Sequence, residues 1–333
     1  MSVCDTLFLP LESGVLKPAA DSRALFFGAR AHKLAAGFGS SLECIQYFKP
    51  HADELVAAGY NVSQATSDPG AYDFAFVLAP KNRAEAQYHL ALAWQALKPG
   101  GALMCATDNK AGGTRLERML ADLGLAGVHG LSKHKARVAW GLKTDAPGQA
   151  EAWLEAGGVQ AVMGGAFWSQ PGLFGWDKFD EGSRLLLDHM PALEGNGADF
   201  GCGYGALGEA VLTRTGERTL TCIDADARAL ECARRNLCDE RVSFLWADLT
   251  KPAPGLAGLD FIVMNPPFHE GKNESAEIGQ KFIASAAQAL KTGGDLVMVA
   301  NSHLPYEMML RGHFAAVDKL HEGKGFKVFA AKR

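Results

Sequence analysis

An α/β fold with mostly parallel sheets, built from one domain used twice, is predicted by three observations on this sequence. Strand-like apolar runs alternate with helix-like stretches along the whole chain, the pattern of parallel strands joined by crossover helices. An internal repeat gives the second observation. Residues 282–301 read FIASAAQALKTGGDLVMVAN and residues 88–109 read YHLALAWQALKPGGALMCATDN. Each is an amphipathic helix, a Lys-x-Gly-Gly turn and a buried strand. The third is that the repeat extends upstream in the same order: 72–78 corresponds to 259–265, and 24–28 to 197–201.

The length of 333 residues agrees with two domains, at about 150 residues each. Asp145-Ala146-Pro147-Gly148 punctuates the chain between the copies. The expected organisation is a first domain over 1–145, a connecting segment over 146–170 and a second domain over 171–333. Hydrophobic residues at 48% and charged residues at 21% suit a soluble globular protein. The net charge of −4 excludes a strongly basic protein that coats nucleic acid, but it is unevenly shared: 1–150 carry +2 and the remainder −6. Within 110–143, seven basic residues face only Glu117 and Asp122, and Lys133, Lys135 and Arg137 are the densest cluster. No apolar run reaches the roughly 18 residues that span a bilayer, and 1–9 lack a secretory layout, so a cytoplasmic protein is expected. Seven scattered cysteines form no C-x-x-C pair, which indicates buried reduced thiols and neither a disulfide framework nor a metal site.

The chemistry begins at Asp199-Phe200-Gly201-Cys202-Gly203-Tyr204-Gly205, between an apolar segment and a helix-like one. Glycines there let the backbone turn sharply and approach a ligand where a Cβ would collide. Asp224 follows the next strand, 19 residues beyond Gly205, where a carboxylate can accept bonds from both hydroxyls of a ribose. On spacing alone the pair fits NAD or S-adenosylmethionine equally. The acid just before the loop suits a cofactor that carries an amino acid rather than a pyrophosphate. Asp248 ends a third strand, placed to meet an adenine amine or to serve as a turn residue. In the first copy Phe26, Arg30 and His32 stand where Asp199, Gly203 and Gly205 stand, so that copy reads as a scaffold without a cofactor site.

The fourth strand of the second copy runs straight into Asn265-Pro266-Pro267-Phe268. Two prolines fix φ and remove two backbone donors at the strand's carboxyl end, where open α/β sheets bind ligands. The Asn265 side-chain carbonyl and the Pro266 carbonyl can then grip two N–H donors of a planar amino group, with Phe268 as a stacking face. His269, next in the chain, is either a proton relay or a surface residue.

At these residues the chain resembles a known family. Asn265-Pro266-Pro267-Phe268 looks like motif IV of class I S-adenosylmethionine-dependent amino-methyltransferases. Pro171-Gly172-Leu173-Phe174, Asp180-Glu181-Gly182-Ser183-Arg184-Leu185-Leu186-Leu187, Ala300-Asn301-Ser302-His303-Leu304-Pro305-Tyr306 and Gly325-Phe326-Lys327-Val328 resemble the bacterial 16S ribosomal RNA guanine-N2 methyltransferases. The resemblance implies two tandem Rossmann-like methyltransferase domains, the first degenerate. It implies a monomer that methylates the exocyclic amine of one guanosine in 16S rRNA or the small ribosomal subunit, without a metal. By it, Asp199, Gly201, Gly203 and Gly205 line the methionine part of S-adenosylmethionine, Asp224 binds ribose and Asp248 adenine. Asn265 and Pro266 hold the amine, Pro267 stiffens the turn and Phe268 stacks on the base.

Related 23S guanine-N2 enzymes share the tetrapeptide and the two-domain plan, and protein-glutamine and DNA-adenine methyltransferases use similar tetrapeptides. An NAD-dependent dehydrogenase fits the glycine loop but not Asn-Pro-Pro-Phe. A non-catalytic RNA-binding module for ribosome assembly would fit the fold but not an intact second-copy site. The basic run around Lys133, Lys135 and Arg137 is expected to be an RNA-docking face of the first domain.

Overall fold

The alternating runs form two seven-stranded sheets with one strand order. The structure is a computed structural model that describes residues 2–65, 68–146, 148–267 and 272–333, and the chain divides into units 1–158 and 159–333. In the first unit, α1 (Val3–Leu7) and α2 (Leu9–Glu12) precede β1 (Ala24–Phe27), α3 (Lys33–Ala36), β2 (Leu42–Ile45), α4 (Lys49–Ala57) and β3 (Asn61–Ser63). There follow β4 (Tyr72–Leu78), α5 (Arg83–Ala96), β5 (Leu97–Asp108), α6 (Leu116–Asp122), β6 (Leu125–Lys133), β7 (Ala136–Lys143) and α7 (Ala150–Gly157). The second unit starts with a hairpin, β8 (Gln160–Val162) and β9 (Phe167–Ser169), and α8 (Glu181–His189). Its sheet is built from β10 (Gly195–Phe200), α9 (Ala206–Leu212), β11 (Arg218–Asp224), α10 (Ala227–Asn236), β12 (Val242–Trp246), β13 (Leu259–Met264), α11 (Lys272–Ala289), β14 (Leu290–Asn301), α12 (Tyr306–His313), β15 (Ala316–Gly323) and β16 (Phe326–Lys332).

The strand orders, β3-β2-β1-β4-β5-β7-β6 and β12-β11-β10-β13-β14-β16-β15, superpose element on element. In each sheet five strands are parallel, and the antiparallel β7 or β16 joins at the same position. Register places Phe27 beside Val77 and Phe200 beside Met264, the correspondence read from the repeat. The central strands are covered on both faces, which is why they read as unbroken apolar runs: Phe261, Ile262, Val263 and Met264 are all buried. Each such side chain contributes about 1.5–3 kcal/mol by leaving water.

The duplication reaches single interactions. Asp73 accepts the Arg23 N–H at 2.9 Å and pairs with Lys98 at 2.7 Å. Asp260 accepts the Asn196 N–H at 2.7 Å and pairs with Lys291. Both turns use their glycines alike. Gly100 and Gly293 sit at φ 78° and 79°, where an L side chain is strained. At Gly101 and Gly294 a Cβ would meet a carbonyl oxygen at 2.9 Å, Lys98 in one copy and Leu259 in the other.

The stretch 146–170, read as a connector, is shared between the units. Trp153 of α7 is buried in the first unit and donates to Gln149 Oε1 at 3.1 Å. The β8–β9 hairpin belongs to the second, where Asn236 Oδ1 accepts the Trp168 N–H at 2.7 Å and Nδ2 donates to Trp168 O and Tyr204 O. All seven cysteines are free and six are buried. Among the described residues, no helix is long and apolar enough to cross a membrane.

Candidate active site

The carboxyl ends of β10, β11 and β13 converge on the glycine loop. Gly201, Gly203 and Gly205 take φ of 76°, 55° and 92°, the left-handed region that favours glycine. Gly205 caps α9, and a Cβ there would stand 3.0 Å from Leu237 Cδ1. A Cβ on Gly203 would meet nothing within 4 Å, because that position faces open space. The Gly203 N–H donates to Asp224 Oδ2 at 2.8 Å, and the Asp226 N–H donates to Oδ1 at 2.8 Å. These two bonds favour the charged carboxylate, but desolvation outweighs them and pushes Asp224 up to about 6. Asp199 lies deeper. Both its oxygens are buried without a hydrogen bond of good geometry, the Gly208 N–H exerting only a weak pull. Desolvation first, then the charge of Asp224, push it up to about 8.

Asn265 follows β13 and is held from the side. Its Nδ2 donates to Asp180 Oδ2 and to Ser183 Oγ, both at 2.9 Å. Asp180 also caps α8, its Oδ2 accepting the Ser183 N–H at 2.8 Å. A carboxylate only accepts, so Asp180 dictates which way the amide faces. Asn265 Oδ1 is left buried with no partner among the described residues. A buried carbonyl without a donor is costly and calls for one from outside the chain.

Asn265 lines a small cleft, together with Gly201, Gly203, Phe174, Phe179 and Tyr204 among others. Of the residues expected at the site, the structure thus brings Gly201, Gly203 and Asn265 to one cleft. Asp224 joins it through the Gly203 N–H, Asp199 and Gly205 flank the loop in sequence, and Pro266 and Pro267 extend the strand end. Asp248 behaves as a turn residue: its Oδ1 accepts the Thr250 N–H at 2.9 Å and hydroxyl at 2.6 Å. Burial raises its pKa, but those bonds and Lys251 prevail and hold it below the usual range. Only Oδ2, 3.4 Å from Lys251, remains for a ligand. Phe268 and His269 lie outside the described residues.

Sequence reasoning gave no role to Asp180, Ser183, Phe179 or Tyr204. The Asp-x-x-Ser spacing before an apolar helix was the available signal for the first two. Phe174, 61% exposed at the cleft, is a second aromatic surface for a planar ligand.

Comparison with known proteins agrees with this geometry. The Methyltransferase small domain family matches residues 164–330, and the Methyltransferase small domain N-terminal family matches 21–129. Proteins named ribosomal RNA small subunit methyltransferase C are similar over most of their length. The one from Pseudomonas paraeruginosa is 34% identical, over 79% of this chain and 80% of its own. That from Aeromonas hydrophila is 32% identical, over 78% and 77%. The chain belongs to the small-subunit ribosomal RNA methyltransferase family. A solved member, the T. thermophilus 16S rRNA guanine-N2 methyltransferase in complex with AdoMet and guanosine, is 26% identical with a TM-score of 0.79. The match covers 99% of this chain and 91% of that one. The resemblance read from the motifs and the tandem-domain fold are therefore both as expected.

The family's N-terminal domain here has closed the place of the cofactor loop. Phe26, the counterpart of Asp199, is fully buried and meets Phe8 and Phe76 edge-on at 5.7 and 5.9 Å. Arg30 folds back, its Nη1 donating to Ala29 O at 3.0 Å. The His32 ring stacks on Phe8 at 4.5 Å. The basic run of that domain is not uniform. Arg137 is engaged within the unit: its Nε lies 2.9 Å from both Glu117 oxygens and Nη1 lies 2.8 Å from Ser132 Oγ. Lys143 Nζ donates to Trp94 O and Leu97 O at 2.8 and 2.7 Å. Lys133 and Lys135 remain exposed, around a turn in which His134 and Lys135 have φ of 55° and 61°.

Proposed function

We propose that this chain transfers a methyl group from S-adenosylmethionine to the exocyclic N2 of a guanosine in 16S rRNA, acting as a cytoplasmic monomer on the small ribosomal subunit. The observation that carries the reading is the Asn265 amide, with Nδ2 doubly engaged and Oδ1 buried and unanswered. The residues present fit the cofactor: the space over Gly203, the glycine backbone and the paired acids Asp199 and Asp224 suit a molecule with ribose hydroxyls and a cationic amino acid. Bound there, S-adenosylmethionine supplies an electrophilic methyl on sulfur. Asp224 would accept the ribose hydroxyls, Asp248 would offer Oδ2 to the adenine, and Gly201, Gly203 and Gly205 would line the methionine part with Asp199.

Asn265 Oδ1 and the Pro266 carbonyl accept the two N2 protons of the guanine. Its nitrogen is a poor nucleophile because the lone pair is delocalised into the ring. Holding both protons would turn that lone pair toward the methyl group, and the carbonyl dipoles would stabilise positive charge developing on nitrogen. As the N–CH3 bond formed, the S–CH3 bond would break, the cofactor would leave as its neutral thioether, and one N2 proton would pass to solvent. Asp180 and Ser183 act one step back, by fixing the Asn265 amide. Phe268 and the cleft aromatics hold the base by stacking. Extruding the guanine from a helix costs a few kcal/mol, about what stacking and two charge-matched hydrogen bonds return. Lys133 and Lys135 of the first unit contact RNA phosphates.

The test is transfer of labelled methyl groups to hypomethylated 16S rRNA, free and in small subunits, and to 23S rRNA, followed by nucleoside mass spectrometry. N2-methylguanosine at one 16S position is expected. Product in 23S rRNA alone, or methylated adenine or protein, would overturn the assignment.

A further inference from the structure

The carboxyl edge of β4 in the first unit has a small cleft of its own. By the register of the repeat, Leu78 stands where Asn265 stands, and Ala79 and Pro80 stand where Pro266 and Pro267 stand. Ala79 and Pro80 line the cleft, whereas Leu78 and the first-unit counterparts of the glycine loop do not, so it borders the corresponding strand end without repeating the lining of the cleft at Asn265. Its lining is of another kind. Lys81, Arg83 and Arg115 bring three cations to it, and the rest is small or aliphatic, with Thr107 the one hydroxyl. No aromatic ring lines it, so it offers a base no stacking face, whereas the second-unit cleft carries Phe174, Phe179 and Tyr204.

The three cations are without internal partners. Among the described residues, none of their side chains makes a hydrogen bond or ion pair. The acids nearby in sequence are spent elsewhere: Asp108 Oδ1 accepts the Lys110 N–H at 2.8 Å, Glu117 is held by Arg137, and Glu85 is buried with a partner of its own. The 14-residue α5 opens at the same cleft. Asn82 caps only the Glu85 N–H, at 3.2 Å, which leaves the N–H groups of Arg83 and Ala84 without an acceptor among the described residues. The three residues are exposed, so solvent screens their repulsion, but they bring one sign of charge to one cleft, and a helix N-terminus adds positive potential. An anion with several acceptor oxygens suits both. Arg83 and Arg115 can each present a planar pair of donors to it.

We propose that this cleft is a phosphate-binding subsite that holds one phosphodiester of the substrate RNA, so that the first unit anchors backbone while the second holds a base. The choice of RNA as the source of the phosphate rests on the functional reading above.

The test uses the full chain and its Lys81→Gln/Arg83→Gln/Arg115→Gln variant. A control variant of equal charge, Lys17→Gln/Arg23→Gln/Lys98→Gln, lies at the opposite edge of the same sheet. Binding of a fluorescein-labelled RNA hairpin is followed by anisotropy across a salt series, and amide shifts of Arg83 and Ala84 are followed on adding inorganic phosphate. The cleft variant is expected to bind RNA several-fold more weakly, with a log–log salt slope shallower by about 1. Its S-adenosylmethionine affinity and its kcat at saturating RNA should match wild type, with the loss confined to KM for RNA. A wild-type slope in the cleft variant, or an equal loss in the control, overturns the proposal. Amide shifts with inorganic phosphate but an unchanged RNA slope mark a free-anion site and overturn the RNA assignment. Wild-type protein that shows the slope difference yet methylates no RNA supports the subsite and sinks the functional reading instead.

Discussion

The two units share a strand order, a register, a Gly-Gly turn and an ion pair, and differ most at the carboxyl edges of their sheets. In the first, Phe26, Arg30 and His32 fill the loop and find partners inside the unit: Phe8, the Ala29 carbonyl and Phe8 again. In the second, the same edge is left incomplete. Asp199 lacks a good donor, Asn265 Oδ1 lacks any, and Gly203 faces space. The comparison separates two demands on one scaffold. Where no ligand comes, the chain satisfies itself; where one comes, polar atoms wait for it and stability is given up.

The largest break of this contrast is Asn265→Ala. It removes the waiting carbonyl but nothing that touches the cofactor, so S-adenosylmethionine affinity by calorimetry should be retained. Methyl transfer should fall about 10²–10³-fold, the scale for a positioned catalytic hydrogen-bonding group. Transfer within tenfold of wild type would show that Oδ1 does not grip the amine. Ser183→Ala keeps one of the two bonds that orient the amide and should lose far less.

Next is Asp224→Ala. Hydrogen bonds to a charged group are worth about 1.5–3 kcal/mol, so cofactor affinity should drop about 10–100-fold. Wild-type titration should give one site per chain, since the first unit has no counterpart of Asp224 in a usable loop. Two sites would abolish the distinction between the units. The pH dependence sharpens it. Ribose hydroxyls donate to the ionised carboxylate, so affinity should weaken as pH falls through about 6, the value to which burial raises Asp224.

How much of this contrast was legible in the sequence depended on how local each demand was. The glycine loop, the Lys-x-Gly-Gly turns and the Asn-Pro-Pro strand end are backbone requirements, satisfied within a few residues, and the repeat made them visible twice. Phe26, Arg30 and His32 could be read as obstructions by alignment of the copies. The pairing of Asn265 with Asp180 and Ser183 could not, because those residues lie 85 and 82 positions away and meet only when β13 and α8 pack. The engagement of Arg137 was hidden for the same reason: a run of basic residues does not reveal that Glu117, 20 positions earlier, holds one of them. Asp248 could be read either way; the structure shows its Oδ1 in a turn with Thr250, two residues on, and leaves Oδ2 for the adenine reading.

A smaller effect tests the stability side. Asp199 is fully buried and raised to about 8, against about 3.9 in the unfolded chain. Between those values the native state binds more protons than the unfolded one, so this group's contribution falls as pH rises and is fully lost above about 8. Asn does not titrate. Asp199→Asn should therefore melt near wild type at acid pH and progressively above it toward pH 8 and beyond in the absence of cofactor, by about 2–4 °C per kcal/mol gained. Its S-adenosylmethionine affinity should fall at the same time. Melting curves that run parallel across pH 5–9 would mean that Asp199 is not the strained group.

The smallest expected effect lies in the β6–β7 turn. Lys135 holds φ 61°, whereas the matching turn of the second unit places Gly325 there, at φ 81°. A non-glycine residue in this region costs about 1–2 kcal/mol, and such strain marks places where a side chain serves another purpose. If Lys135 contacts a phosphate, Lys135→Gly relieves the turn and deletes the contact together. The variant should gain about 1 kcal/mol in stability and lose roughly threefold in RNA affinity, less as salt rises. Arg137 must be left in place, because Arg137→Glu would set two carboxylates against each other at Glu117 and confound binding with folding. Greater stability with unchanged RNA affinity in 50–200 mM salt would show that the turn is strained for a reason other than RNA, and would leave Lys133 and the cleft at Lys81, Arg83 and Arg115 as the first unit's contacts with the substrate.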